Sequence, residues 1–184
     1  MKVGSILALL VILVALGVYF LFFRPEPPPE PLPAPRPPVW DVDMMELQHI
    51  VISLPQQDKS EEFVKHEDRQ WYFDEPEGPR ADPKRWGGGI PLILSGPKAN
   101  RLIEEDATEE RLAVFGFTQP RMEIVLTLEN EDIIDIEVGD STPDGIAYYV
   151  KLADSTDVYT VDYTWYDVLK RLVLEPPYPP PEEE

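Results

Sequence analysis

Cysteine is absent from the 184 residues, which removes disulfides, thiolate nucleophiles, Cys-ligated zinc and attachment through a lipidated N-terminal Cys. Histidine is nearly absent. With only His49 and His66, imidazole-dependent triads and His-rich metal sites have few possible members. His49 falls in an apolar strand pattern and His66 beside a turn, so both read as structural or solvated. Basic residues are also scarce, 16 Lys and Arg against 35 Asp and Glu, for a net charge of -19. The first 23 residues hold Lys2 and no acid, so the remainder carries 15 basic against 35 acidic side chains. Such a surface repels phosphate backbones and anionic headgroups, which argues against nucleic-acid binding. Solubility alone accounts for the charge.

The most conspicuous feature present is VGSILALLVILVALGVYFLFF, Val3 to Phe23, free of charge. At 1.5 Å per residue a helix of this length reaches about 31 Å, the thickness of a hydrocarbon core. A cleaved signal peptide would have a shorter apolar run and a small-x-small site after it. This run ends instead in YFLFF and Arg24-Pro25. Residues 1–23 therefore read as an uncleaved transmembrane anchor contacting the lipid bilayer through residues 3–23. Lys2 against Arg24 and Arg36 is nearly a tie for orientation. A signal-anchor this close to the start commonly exports the chain beyond it, which places the acidic bulk outside the cytoplasm.

Residues 24–38, RPEPPPEPLPAPRPP, hold nine Pro in fifteen. Polyproline II is nearly enforced, and at 3.1 Å per residue the segment spans about 46 Å. A basic residue in fixed register with PxxP is missing, so the segment reads as a spacer and not as an SH3-type ligand.

From residue 39 to 174 the pattern changes to short alternating stretches with turn signals between them. Strands are expected over Leu47–Leu54, Glu61–His66, Gln70–Phe73 and Arg101–Glu105. Trp71 and Phe73 share a face by period-two geometry. A short helical turn is expected at Asp82–Trp86, then a loop through Gly87-Gly88-Gly89 and an apolar piece at Ile90–Leu94, because GGG and Pro91 oppose a long helix. Thr108 to Gly116 has a capping Thr, two Glu in the first turn and a terminal Gly, the marks of a short helix. Met122–Leu128, Ile134–Val138, Ala147–Leu152 and Val158–Asp162 form an antiparallel meander. At Thr164 the period becomes helical: Trp165, Val168, Leu169 and Leu172 make one stripe, with Thr164 and Asp167 resembling a capping box. The fold class is α+β, an antiparallel β-rich domain with a C-terminal helix packed on the sheet, preceded by one transmembrane helix. The halves resemble each other enough to suggest a degenerate duplication. Residues 175–184, EPPYPPPEEE, read as a disordered tail.

No catalytic, cofactor or metal residue is assigned. The loop Asp140 to Gly145 lacks the alternating ligands and terminal Glu of a calcium loop, and Gly87-Gly88-Gly89 lacks the Lys-Ser/Thr of a phosphate loop. Aromatics are the better candidates. Trp86, expected exposed beside a Gly-rich loop, and Tyr148, Tyr149 and Tyr166 in a dense aromatic region are the possible partner contacts.

The pieces RQWYFDEP, LAVFGFTQP, IEVGDSTPDGIAYYV and VYTVDYTWYDVLKRL, in this order, resemble a bacterial domain of unknown function of the DUF4340 type, over most of residues 47 to 174. GGG in place of a regular helix and Phe117 after Gly116 depart from that pattern. The resemblance implies single-pass membrane anchoring, association of some members with ABC-type transport systems, and no established catalytic residues. The expectation is a non-enzymatic membrane accessory or scaffold subunit that meets other membrane-complex proteins. The alternatives are a ligand-binding or sensor domain of a transporter, and a cell-envelope enzyme.

Overall fold

The computed structural model describes residues 3–22, 38–75, 77–87 and 89–180. The chain divides into two units, residues 1–35 and 36–184. In the first, Val3–Phe22 forms helix α1, 20 residues without a charged side chain. Among the described residues, no helix is long and apolar enough to cross a membrane. Of residues 24–38, read from the sequence as a spacer, 24–37 lie outside the described residues, and Pro38 forms a bridge to Lys98.

The second unit is built on eight strands: β1 (Leu47–Leu54), β2 (Lys59–Lys65), β3 (Trp71–Phe73), β4 (Arg101–Glu104), β5 (Met122–Leu128), β6 (Ile133–Ser141), β7 (Ala147–Leu152) and β8 (Val158–Asp162). They form one sheet in the order β3-β2-β1-β5-β6-β7-β8-β4. The ladders are antiparallel throughout. Outward from the central β1/β5 pair the order runs β2, β3 on one side and β6, β7, β8, β4 on the other.

Alternation decides which face is core. Ile50 and Ile52 sit opposite Leu126 and Ile124, which sit opposite Ile134 and Ile136. Of these six, all but the half-buried Ile134 are fully buried. Leu47 is buried although it has the wrong parity, because a bulge between Leu47 and His49 shifts the register.

Helix α5 (Tyr163–Leu174) covers this face with Trp165, Tyr166, Leu169, Leu172 and Val173. Val168, assigned to the apolar stripe by spacing, is exposed, and Tyr166 and Val173 take the core side. The helix also starts earlier than its capping-box pattern suggests: Asp162 is the N-cap, its Oδ1 accepting from the Thr164 N–H at 2.8 Å. An Asp at this position satisfies an orphan donor and favours the positive helix end.

Helix α2 (Pro83–Trp86) begins on the Asp82 cap, with Pro83 at the first position where no N–H is needed. The apolar piece after the glycines is itself a helix, α3 (Gly89–Leu94). Its last carbonyls, which have no partner within so short a helix, accept from two indoles: Trp165 Nε1 to Ile93 at 2.9 Å and Trp40 Nε1 to Leu94 at 2.8 Å. Those rings meet edge-on at 6.1 Å. Pro91 is tolerated because it lies in the first turn.

On the opposite face, at the β7/β8 end, helix α4 (Glu109–Val114) seats Phe115 and Phe117 in a second cluster with Val158, Ala107 and Tyr149. Thr108 caps α4 as its sequence indicates.

The tail is ordered further than its composition suggests. Arg85 donates to the carbonyls of Glu175 and Pro176, the Asp82 N–H donates to Pro177 O at 2.7 Å, and Tyr178 stacks on Phe73 at 4.1 Å. Backbone carbonyls and one aromatic ring hold a segment that could not fold alone. Residues 181–184 lie outside the described residues.

Leu169 is fully buried against the sheet, so Leu169→Ala should cost about 2–5 kcal/mol of stability, read from urea unfolding followed by Trp fluorescence. A loss below about 1 kcal/mol would mean that α5 is not seated on this face.

Candidate functional site

Three features have the geometry to bind something. The first lies on the sheet face opposite α5. His49 pairs with Val64 and Val51 with Glu62, so His49 and Glu62 are diagonal neighbours on β1 and β2. Asp74 follows β3, and its N–H donates to Glu62 O at 2.9 Å, which sets it beside Glu62. His49 Nε2 lies 3.0 Å from Asp74 Oδ2 and 3.9 Å from Glu62 Oε2. One donor atom from each residue falls within 4.8 Å of the others. These side chains could hold a metal ion, although spacing in the sequence assigned none.

The second is a cleft of about 280 Å³ between β3 and α2, walled by Arg69, Trp71, Arg80, Trp86, Gly87 and Pro91. Beside it, Asp68 accepts from the Gln70 N–H and the Tyr72 hydroxyl, and these bonds hold its carboxyl below the usual range. His66 stacks on Tyr72 at 4.1 Å. Trp86 itself is buried, packed on Phe63 at 4.7 Å and Trp71 at 5.4 Å. It is therefore not the exposed partner contact expected from the neighbouring glycines. The glycines end α2, and its last residue turns into the core.

The third is the aromatic region of the C-terminal half. Tyr148 and Tyr149 point to opposite faces as alternation requires, yet both are half-buried, each under a helix. Tyr148 stacks on Tyr166 of α5 at 3.9 Å, and Tyr149 packs on Phe115 at 4.7 Å. Burial holds the Tyr166 phenol above its ordinary 10, with Tyr148 adding to it. Of the three tyrosines named as partner contacts, Tyr148 and Tyr149 are thus half-buried and Tyr166 is buried, each with an aromatic neighbour inside the domain or, for Tyr166, Tyr148 itself.

Residues 71–174 match a protein-family model described as a domain of unknown function (DUF4340). The match spans more than half of the chain. The chain belongs to the DUF4340 family. No curated protein and no solved structure matches it. Asp74 falls inside the matched segment of this DUF4340 chain, whereas His49 and Glu62 precede it.

Two stretches within the matched segment, FGFTQP and VGDSTPDG, meet in space and explain each other's glycines. Gly116 has φ +88°, and a Cβ there would lie 2.6 Å from Asp140 N. A Cβ on Gly139 would lie 2.2 Å from Phe115 O. The Asp140 N–H donates to Phe115 O at 2.8 Å, and Arg121 Nε donates to Asp140 Oδ1 at 2.8 Å. A bulge between Val138 and Ser141 bends β6 toward this contact. Both glycines serve close backbone approach, an architectural use. Both acids here have partners: Asp140 pairs with Arg121, and Asp144 accepts from the Thr142 hydroxyl and the Ile146 N–H, which lower its carboxyl in that order.

Gly139→Ala should therefore destabilise by more than about 2 kcal/mol through backbone displacement, while Gly89→Ala, with open space around it, should be neutral or mildly stabilising in thermal unfolding. Equal effects would remove the close-approach explanation. Glu61 offers a pH test. Burial raises its carboxyl above the ordinary 4.5, with Glu75 adding repulsion. A carboxyl raised on folding supports the fold below about pH 4.5 and loses that contribution as pH rises through the folded value. Glu61→Gln should raise the melting temperature at neutral pH and leave it unchanged in acid; a drop at neutral pH would reverse the assigned sign.

Proposed function

We propose that this chain is a non-enzymatic, single-pass membrane accessory subunit that holds an acidic domain off a bilayer for assembly with other proteins of a membrane complex, such as a transport system. One observation carries the reading: between Ile6 and Tyr19 the helix α1 is apolar on every side, with Leu7 67% and Leu13 64% exposed. A helix without a polar face is a poor surface helix in water and is stable when surrounded by an apolar medium. The described side chains alone do not make a span, so the reading counts the whole uncharged run from Val3 to Phe23. Its partner would meet the acidic domain through charge complementarity. Use of the distinctive glycine stretches for architecture also favours a scaffold over a catalyst. The cleft walled by Arg69 and Arg80 favours a second reading, a ligand-binding domain attached to a transporter.

The full chain, expressed in its native membranes, should resist extraction at alkaline pH. Leu9→Arg combined with Leu13→Arg should release it, since each buried charge at a helix centre costs about 2.5–3.5 kcal/mol. After gentle solubilisation the chain should co-purify with membrane-complex proteins. Release of the unaltered chain would overturn the anchor. A chain that purifies alone but retains a small anion would favour the second reading.

A further inference from the structure

We infer that His49, Glu62 and Asp74 form a binding site for a divalent transition-metal ion of the zinc type. The three residues come from consecutive positions across the sheet, β1, β2 and the end of β3, on the face that α5 does not cover. Strands fix ligand positions more firmly than a loop does. His49 Nε2 is shielded from solvent and makes no hydrogen bond, although Asp74 Oδ2 lies only 3.0 Å away. An ordinary imidazolium–carboxylate pair would use that distance for a hydrogen bond along the N–H axis. Ligands of a common ion behave differently, since their lone pairs point at a third centre and not at each other. With metal–ligand distances of about 2.0–2.2 Å, neighbouring donor atoms lie about 3.0–3.5 Å apart. The His49–Asp74 separation already matches, and Glu62 Oε2 at 3.9 Å reaches that range by a small side-chain rotation.

Charge and access agree with this assignment. The cluster brings two carboxylates together, a charge that a divalent ion balances. Glu62 and Asp74 are about half exposed, so an ion can enter from solvent and keep water in its remaining positions. The donor set selects among ions. One imidazole nitrogen with two carboxylates and no thiolate suits zinc, nickel or copper, whereas calcium and magnesium prefer oxygen alone. The ion would also tie β3, an edge strand of three residues, to β1 and β2. This inference is independent of the membrane reading, because neither the anchor nor the partner takes part in it.

The test uses the full 1–184 chain in a non-ionic detergent after removal of metals with a chelator. Titration calorimetry with zinc chloride should show one site, and cobalt(II) bound there should develop visible absorption from nitrogen and oxygen ligands. His49→Ala and Asp74→Asn should each weaken zinc binding by roughly tenfold or more, while Glu109→Gln with Glu110→Gln on α4 should leave it unchanged. Calcium should bind more weakly and without regard to His49. Circular dichroism checks the fold of each variant. If His49→Ala unfolds, the exposed Asp74→Asn variant decides the matter. Zinc binding that is unaffected by Asp74→Asn, or zinc and calcium binding alike, would reduce the cluster to part of a generally acidic surface and overturn the site.

Discussion

The sheet is continuous because β1 pairs with β5. These strands come from opposite halves of the sequence, and their contact joins a three-strand ladder to a meander that extends the other way. The inward residues of the pair, Ile50 and Ile52 against Leu126 and Ile124, are fully buried. They present a flat apolar surface that no hairpin could shield alone. Helix α5 must lie there, and once it does, its Trp165 reaches back to α3 and its Tyr166 accepts the stack from Tyr148. The same helix leads into residues 175–178, which close over α2 and Phe73. The placement of α2, α3 and the C-terminal segment thus depends on one strand pairing.

A second constraint acts on the other face. Where α4 ends, its backbone runs into β6 so closely that neither Gly116 nor Gly139 has room for a Cβ. The bulge in β6 and the Arg121–Asp140 pair complete this contact. Both glycines, which lie inside the matched segment, are thereby structural parts. In the turn after β6, the Asp144 carboxylate accepts from the Thr142 hydroxyl and the Ile146 N–H, which holds the turn closed.

Part of the sheet face opposite α5 carries a mixed surface. On β1, β2, β5 and β6 the outward side chains include His49, Val51, Glu62, Glu123, Val125 and Asp135, all half-buried or exposed. A face that mixes apolar and acidic groups is open to water, to an ion and to another protein. The proposed accessory role and the proposed ion site both draw on this openness, one through its charge and the other through three particular side chains.

Local pattern in the chain was enough to place the strands, the helix cap at Thr108, and the class of fold. Alternation, turn residues and helical spacing are short-range, and short-range sterics and hydrogen bonding enforce them. The apolar run at the start and the acidic character throughout were equally legible. Features that depend on neighbours distant in the chain were not. Trp86 read as exposed because glycines come after it, yet Phe63 and Trp71 enclose it. Alternation put Tyr148 and Tyr149 on opposite faces but could not show that each meets an aromatic partner, Tyr166 and Phe115. The Pro-rich tail read as disordered, and Arg85 gave its carbonyls partners. His49 lay in an apolar strand pattern with nothing to mark it, among 35 acids any two of which could have been its companions. Only register, which sets residue 49 diagonal to 62 and 62 beside 74, selects Glu62 and Asp74. Register is fixed by the burial of the opposite face, since a slip of one residue would turn every core side chain to water.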